Sequence, residues 1–425
     1  MNPSNRRRSR MPRIAGIATF ATCMAIVAGC ATAPSTTEST PALKPIDQAA
    51  LLAVVEKAAK DMLVPGAVVM IRTPQGTHTA AVGTTELGTQ TPPDADTHFR
   101  IASNSKTMIA ALIVLLAQDG NLTFEDPVAA FVPDVPNGTD VTIADLLTMR
   151  SGLYNYTNAP EFAAALDADP GKAWTPQEVL AIAFAHPPDD TPNTTYEYSN
   201  TNYALLGLVA EKAGGRPLGE QLHDRLFKPL ALQETSLPAV DDTQIPAPYS
   251  HGYMYGGSAF AMVDDPYPAD VKAAARAGTL EPTDYTHQNP SYAHGAGGVI
   301  STADNLTTWM RDLVSGKVFD ADFHRQWLDS VQAEDPQNLD GQKYGYGISY
   351  QRFSPTAAMY YHGGEMPGFN SFMGYDPDND VSVVIWTNLT ISPLDDKTTA
   401  QALLPIILDE VYTGLSLAPS PTTTR

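Results

Sequence analysis

Apolar residues recur through residues 46–62 at Ile46, Ala50, Val54, Ala58 and Met62, the spacing of one helix face, and Asp47 can cap its start. Two β-prone runs follow, 66–72 (GAVVMIR) and 77–85 (THTAAVGTT). Thr73-Pro74-Gln75-Gly76 between them predicts a hairpin turn. A shorter β-prone stretch, 97–100, leads into 108–118, whose Ala, Ile and Leu residues predict a buried helix stopped by Asp119-Gly120. From 121 to about 294 the strand signal nearly disappears. Residues 142–149, 176–185 and 202–213 read as helices, the last ending at Gly214-Gly215. Residues 237–293 are dense in Pro, Gly, Tyr and Asp and predict long surface loops, which are usually functional.

After Gly295 the pattern changes back. Residues 301–314 are amphipathic behind a good cap. Residues 344–350, 358–362, 370–375 and 381–386 read as strands, with a hairpin turn at 376–380. A closing helix spans 395–412, strained or broken near Pro405. Strands at both ends with a helical stretch between them predict an α/β fold. One sheet is built from 46–120 plus 295–412, flanked by helices, with an inserted mainly helical subdomain at about 121–294. No internal repeat is visible.

The ends lie outside this pattern. Residues 1–29 combine Arg6, Arg7, Arg8, Arg10 and Arg13 with an apolar stretch too short to span a membrane comfortably, as a signal peptide does. The stretch ends in Val27-Ala28-Gly29-Cys30, which resembles a bacterial lipobox and makes Cys30 the expected lipid attachment point. Residues 30–45 then predict a flexible tether and 413–425 a disordered tail. The chain is thus expected to be exported and lipid-anchored to the outer face of the cell membrane. Cys23 leaves with the signal, so the mature chain has no internal disulfide and no catalytic thiol. Subtracting the five leader arginines from the whole-chain charge of −21 leaves −26. So acidic a surface argues against nucleic acid as a partner, and against binding anionic lipid headgroups by charge.

Chemistry concentrates at Ser103-Asn104-Ser105-Lys106. Ser103 falls at or near a helix start, where free N–H groups favour negative charge, and Lys106 lies one turn along the same face. An amine there can take the hydroxyl proton and so make a nucleophile. A chain of this length yields about one Ser-x-x-Lys by chance, and alone the serine is equally well an N-cap. A second stretch, 196–202 (YEYSNTN), places Tyr198 and Asn200 where a loop lets both reach one point. A phenol beside a cationic lysine has a lowered pKa and can act as acid or base. A carboxamide can orient the lysine and bind a substrate carbonyl. A third stretch, 361–369 (YHGGEMPGF), sets His362 before Gly363, Gly364 and Glu365, where glycine lets a ligand approach a strand edge. His362 can donate there to substrate or to the Tyr198 oxygen. Taken singly, the last two stretches read better as an aromatic packing residue with a helix cap, and as a core histidine with a turn.

Together and in this order, Ser-x-x-Lys, Tyr-x-Asn and His-x-Gly resemble the class C β-lactamase and D-alanyl-D-alanine carboxypeptidase family of penicillin-binding-protein-like serine hydrolases. Residues 146–153 (LLTMRSGL), Tyr154-Asn155-Tyr156 and 297–302 (GGVIST) extend the resemblance over about 46–412. It implies a β-lactamase/transpeptidase-like fold with an antiparallel sheet and a site in the groove beside the helical subdomain. It also implies Ser103 as the acylated nucleophile, Lys106 and Tyr198 as the proton-transfer pair, and Asn200, His362, Gly363, Gly364 and Glu365 as substrate-binding. The backbone N–H groups of Ser103 and Glu365 would form the oxyanion hole. Which of Lys106 and Tyr198 takes the first proton stays open. The expected substrates are a peptidoglycan stem peptide, a β-lactam or an ester, with no cofactor.

Two places depart from the family pattern. Its carboxypeptidases tend to carry a hydroxyl residue after the histidine to touch the substrate carboxylate, where this chain has Gly363 and Glu365. Arg352 falls one residue away from the family's carboxylate-binding arginine. Glu365 predicts repulsion of a free C-terminal carboxylate, so an esterase or D-aminopeptidase of the same family is the alternative. A non-catalytic envelope binding lipoprotein is the alternative of another class. Gly-x-Ser-x-Gly and His-Glu-x-x-His are both missing, and the nine histidines show no metal-ligand spacing.

Overall fold

The structure, a computed structural model, describes residues 42–262 and 266–417. The leader, Cys30 and most of the expected tether and tail lie outside the described residues. The strands are β1 Gly66–Thr73, β2 Gly76–Gly83, β3 Phe99–Arg100, β4 Tyr253–Met254, β5 Thr283–Asp284, β6 Ile300–Ser301, β7 Gln332–Ala333, β8 Lys343–Tyr344, β9 Ser349–Ser354, β10 Ala357–Met366, β11 Phe369–Asp376 and β12 Val381–Thr387. Eight of them form one sheet in the order β2-β1-β12-β11-β10-β9-β8-β7. Each neighbouring pair is antiparallel.

Side chains alternate across a strand, and the apolar run of β1 shows why both faces need a cover. Ala67, Val69 and Ile71 enter a core shared with Leu51 and Val55 of helix Gln48–Asp61 and with Leu403 and Ile407 of helix Thr399–Val411. Val68 and Met70 enter the opposite core, with Met108 and Leu112 of helix Ser105–Gln118 and Leu306 and Met310 of helix Ala303–Val314. Helix Ser105–Gln118 is buried all round, from Ser105 to Ala117, which is why it lacks a polar face. Trp309 Nε1 donates to Thr107 Oγ1 at 2.8 Å and locks the two helices of this face together.

Between residues 118 and 300 the chain is mainly helical, with Ile143–Leu147, Pro160–Ala168, Pro176–Ala185 and Asn200–Gly214 as its first α-helices. It returns through β6, which pairs with β3 in the register Phe99↔Ser301 and Arg100↔Ile300. That pairing ties the exit of the helical segment to the strand that delivers Ser103. The expected long loops at 237–293 contain helices Ala259–Met262 and Ala269–Arg276 and the β4–β5 pair.

Several predicted boundaries move. The strand expected at 344–350 is two strands, because Gly347, at φ +70°, turns the chain against the nucleophile helix. A Cβ there would lie 2.5 Å from that of Ala110. The closing helix starts at Thr399 and runs through Pro405 to Val411. The tether's last residues are not free. Lys44 N–H donates to Val411 O at 2.9 Å and Leu43 bridges Tyr412, so the entry strand is stitched to the end of the closing helix. In the expected tail, Thr413 N–H donates to Ala42 O.

Candidate active site

The nucleophile turn is built by hydroxyls. After Ile101 the chain passes through Ala102 at φ +50° into a single 3₁₀ turn, Ala102–Asn104, before the α-helix begins at Ser105. Ser105 Oγ donates to Ala102 O at 2.7 Å and accepts from Val299 N–H at 3.1 Å. Asn104 Nδ2 donates to Ser371 Oγ at 2.8 Å. Ala102, Asn104, Ser105 and Lys106 are buried, while Ser103 is half-buried and lines the cavity. The turn therefore presents one hydroxyl and hides its neighbours.

Lys106 Nζ lies 2.8 Å from Ser103 Oγ, 2.7 Å from Asn200 Oδ1 and 2.6 Å from Ala296 O. Burial holds this amine well below the usual lysine range. A neutral amine has two N–H groups and one lone pair. Asn200 Oδ1 and Ala296 O are acceptors only and take both N–H groups, which leaves the lone pair facing the Ser103 hydroxyl. Tyr198 lines the same cavity as Ser103, close enough for the serine to lower its pKa, and its ring centroid is 5.0 Å from Lys106 Nζ. The expectation of a lowered phenol beside a cationic lysine is corrected. Burial raises the Tyr198 pKa, the charge on Glu365 adds to it, and Ser103 only partly opposes them. The same lack of solvent disfavours the lysine cation and the phenolate together.

Asn200 begins its helix and donates Nδ2 to Thr157 Oγ1 at 3.0 Å, while its backbone N–H donates to Asn155 Oδ1 at 3.0 Å. Both ends of its carboxamide are engaged within the protein, so it orients Lys106. Thr157, Tyr344 and the Ala296 carbonyl escaped the sequence reading. Ala296 sits beside the Gly297-Gly298 stretch already singled out, and Thr157 two residues after Asn155. A backbone acceptor leaves no residue-type signal.

The expected donor role of His362 is corrected. Its Nδ1–H donates to Gly363 O at 2.6 Å, and its Nε2 accepts from the Tyr344 hydroxyl at 3.1 Å. Burial lowers its pKa to about 3, so the ring is neutral and both nitrogens are used. Gly364 also differs from its expected role. A Cβ there would come within 2.2 Å of Ile101 O, so this glycine lets β10 lie against the nucleophile turn rather than contacting a ligand.

β9 pairs with β10 only as far as Tyr361. Beyond it, no described strand pairs that side of β10, and a cavity of about 450 Å³ opens along the strand. Its lining includes Gly363 and Glu365 of this strand, Asn155, Tyr198 and Asn200 from the helical segment, and Met262 and Leu404. The structure thus brings Ser103, Lys106, Tyr198, Asn200, His362, Gly363 and Glu365 to one place. Arg352 is exposed, donates to Pro355 O and Tyr350 Oη, and is not part of the lining.

A two-faced antiparallel sheet with a serine, a buried lysine and a tyrosine at its groove defines a β-lactamase/transpeptidase-like fold and site. The chain belongs to the beta-lactamase family, whose model matches residues 53–406. It is 26% identical over 328 residues to penicillin-binding protein 4* of Bacillus subtilis (strain 168), covering 76% of this chain and 66% of that one. The chain spans about two thirds or less of the length of the curated relatives it matches. Among solved structures it resembles a D-stereospecific amidohydrolase from Streptomyces sp., with a TM-score of 0.71, 28% identity and coverage of 84% and 98% of the two chains. It also resembles D-amino acid amidase from Ochrobactrum anthropi SV3 complexed with D-phenylalanine, with a TM-score of 0.65, 26% identity and coverage of 80% and 92%.

Proposed function

We propose that this serine hydrolase cleaves amide or ester bonds through an acyl-enzyme on Ser103. The observation that carries the reading is the Lys106 amine, held by two acceptor-only oxygens with its third position on Ser103 Oγ. As Oγ attacks the substrate carbonyl carbon, its proton passes to the Lys106 lone pair. The carbonyl oxygen becomes an oxyanion, received by the backbone N–H groups of Ser103 and Glu365. One such donor is commonly worth about 10²–10³ in rate. Tyr198, held neutral by burial beside Ser103, gives its proton to the leaving nitrogen or oxygen and regains one from Lys106. Water then attacks the ester, giving its proton to the same pair, and releases the acid and Ser103.

Between the family's activities, Glu365 favours the amidase or esterase reading over the carboxypeptidase-like or β-lactamase-like one. Substrates of the latter two carry a carboxylate, and the cavity offers it a like charge and no arginine. The amidohydrolase and amidase structures that the chain resembles agree with this choice. A fluorescent serine-directed phosphonate is expected to label the wild-type protein stoichiometrically and to leave Ser103→Ala unlabelled. Equal labelling of both would refute the acyl-enzyme, and labelling of neither would favour the binding lipoprotein.

The protein works at the cell envelope, held by a lipid on Cys30. The lipobox-like run behind a basic, apolar leader supports this. Cys30→Ser is expected to move the protein from the membrane fraction to the soluble fraction. Unchanged partition between the two would count against the anchor.

A further inference from the structure

The end of β10 that faces Ser103 is held from behind by one carboxamide. The closing helix Thr399–Val411 starts, like any helix, with backbone donors that need partners. Its own N-cap residue gives them no side chain, because Thr398 Oγ1 bonds Gln401 Oε1 instead. Asn370 of β11, fully buried, fills that role. Its Oδ1 accepts from the N–H groups of Ala400 at 2.8 Å and Gln401 at 3.3 Å. Two backbone donors on one oxygen settle which way the carboxamide points. The nitrogen faces the other way, and there Nδ2 donates to Gly364 O at 3.1 Å.

That carbonyl belongs to the Gly364–Glu365 peptide. In a trans peptide the C=O and the N–H point opposite ways. A carbonyl held by Asn370 on the β11 side therefore aims the Glu365 N–H toward the edge of β10 that β9 leaves uncovered, where the cavity opens. Gly364 makes such a hold necessary. Lacking a Cβ, it resists rotation of its peptide less than any other residue would, and the reversed peptide would turn a carbonyl oxygen on the developing oxyanion. Ser371, next on β11, points to the opposite face and serves the other backbone donor. Its Oγ accepts from Asn104 Nδ2 at 2.8 Å and donates to Ile101 O at 3.3 Å, which fastens the turn that carries Ser103.

We propose that Asn370 is a positioning residue for the oxyanion hole: it fixes the Gly364–Glu365 peptide so that the Glu365 N–H meets the oxygen on which charge develops as Ser103 attacks. This rests on the Ser103 acyl-enzyme reading and adds to it the residue that aims one of the two donors. Asn370 is not part of the cavity lining, so it acts on the substrate only through that peptide. Its loss slows acylation and leaves the binding of the intact substrate unchanged.

The test uses the full-length protein and two activated esters, p-nitrophenyl acetate and its thiono analogue, in which sulfur replaces the carbonyl oxygen. Both release nitrophenolate as Ser103 is acylated, but the sulfur is too large and too weak an acceptor to use the two N–H groups. Asn370→Ala is expected to slow the acylation burst with the oxygen ester at least about tenfold, part of what one oxyanion donor is worth, and to change that with the sulfur ester less than about threefold. The ratio of the two rates does not depend on how much of the variant folds. Asn370→Asp keeps an acceptor for the helix start but turns a second acceptor on Gly364 O, so it is expected to be no faster than Asn370→Ala. A purely structural role would make it the better of the two. Equal losses on both esters, an oxygen-ester rate in Asn370→Ala within about threefold of wild type, or a wild-type ratio in Asn370→Asp would overturn the proposal. Wild-type protein that hydrolyses neither ester would refute the Ser103 reading, and the proposal with it, whereas normal wild-type acylation followed by any of those three results overturns the proposal alone.

Discussion

Lys106→Ala is expected to slow acylation of Ser103 by about 10³-fold, the middle of the range for losing a positioned general base. The measurement is the pre-steady-state burst with a p-nitrophenyl ester, which reports acylation apart from deacylation. Lys106→Arg should be no better, because a guanidinium stays protonated and has no lone pair to offer. The pH profile supplies the sign. Protonating the amine removes the base, so activity falls as pH drops through the Lys106 value. Burial places that value well below the ordinary lysine range, so this limb should lie on the acid side of the one a solvent-exposed lysine would give. His362, at about 3, should contribute no limb between pH 5 and 8. A Lys106→Ala enzyme within tenfold of wild type would rule out Lys106 as the base.

Tyr198→Phe separates proton donation from proton removal. The ring keeps its packing against Lys106 and loses only the hydroxyl beside Ser103. An amide nitrogen must be protonated before it leaves, whereas nitrophenolate leaves unaided. Turnover of an anilide or simple amide is therefore expected to fall about 10²–10³-fold, and acylation by a p-nitrophenyl ester by less than about tenfold. Equal losses on both substrates would mean that Tyr198 acts earlier, at the attack step, and the assignment of roles would reverse. Protein that retains its melting temperature makes either result interpretable, since the removed group is one hydroxyl.

Much of this site was legible in the chain. The runs around Ser103, Tyr198 and His362 mark side chains whose chemistry is intrinsic to the residue type, and the GAVVMIR run marks a strand covered on both faces. Other features depend on neighbours far away in sequence. Ala296 contributes a carbonyl, which every residue has, and Thr157 is an ordinary threonine until Asn200 Nδ2 meets it. The pKa direction of Tyr198 failed for a related reason. Sequence shows that a lysine and a tyrosine come close, but not that both are out of water, and desolvation outweighs the attraction between their charges. His362 was misread because its partner, Tyr344, lies on another strand, and Gly347 turned what looked like one strand into two.

The sheet order also bears on how the protein is made. β12, synthesised after every other strand, lies inside the sheet between β1 and β11, third of the eight from the β2 edge. Until it emerges, β1 has β2 on one edge and nothing on the other, with apolar side chains on both faces. The pairing of β1 with β12 spans more than three hundred residues, so it closes late and slowly. A product cut short before Val381 lacks the strand that joins the β1–β2 hairpin to the other five, and presents sticky open edges instead of a closed sheet.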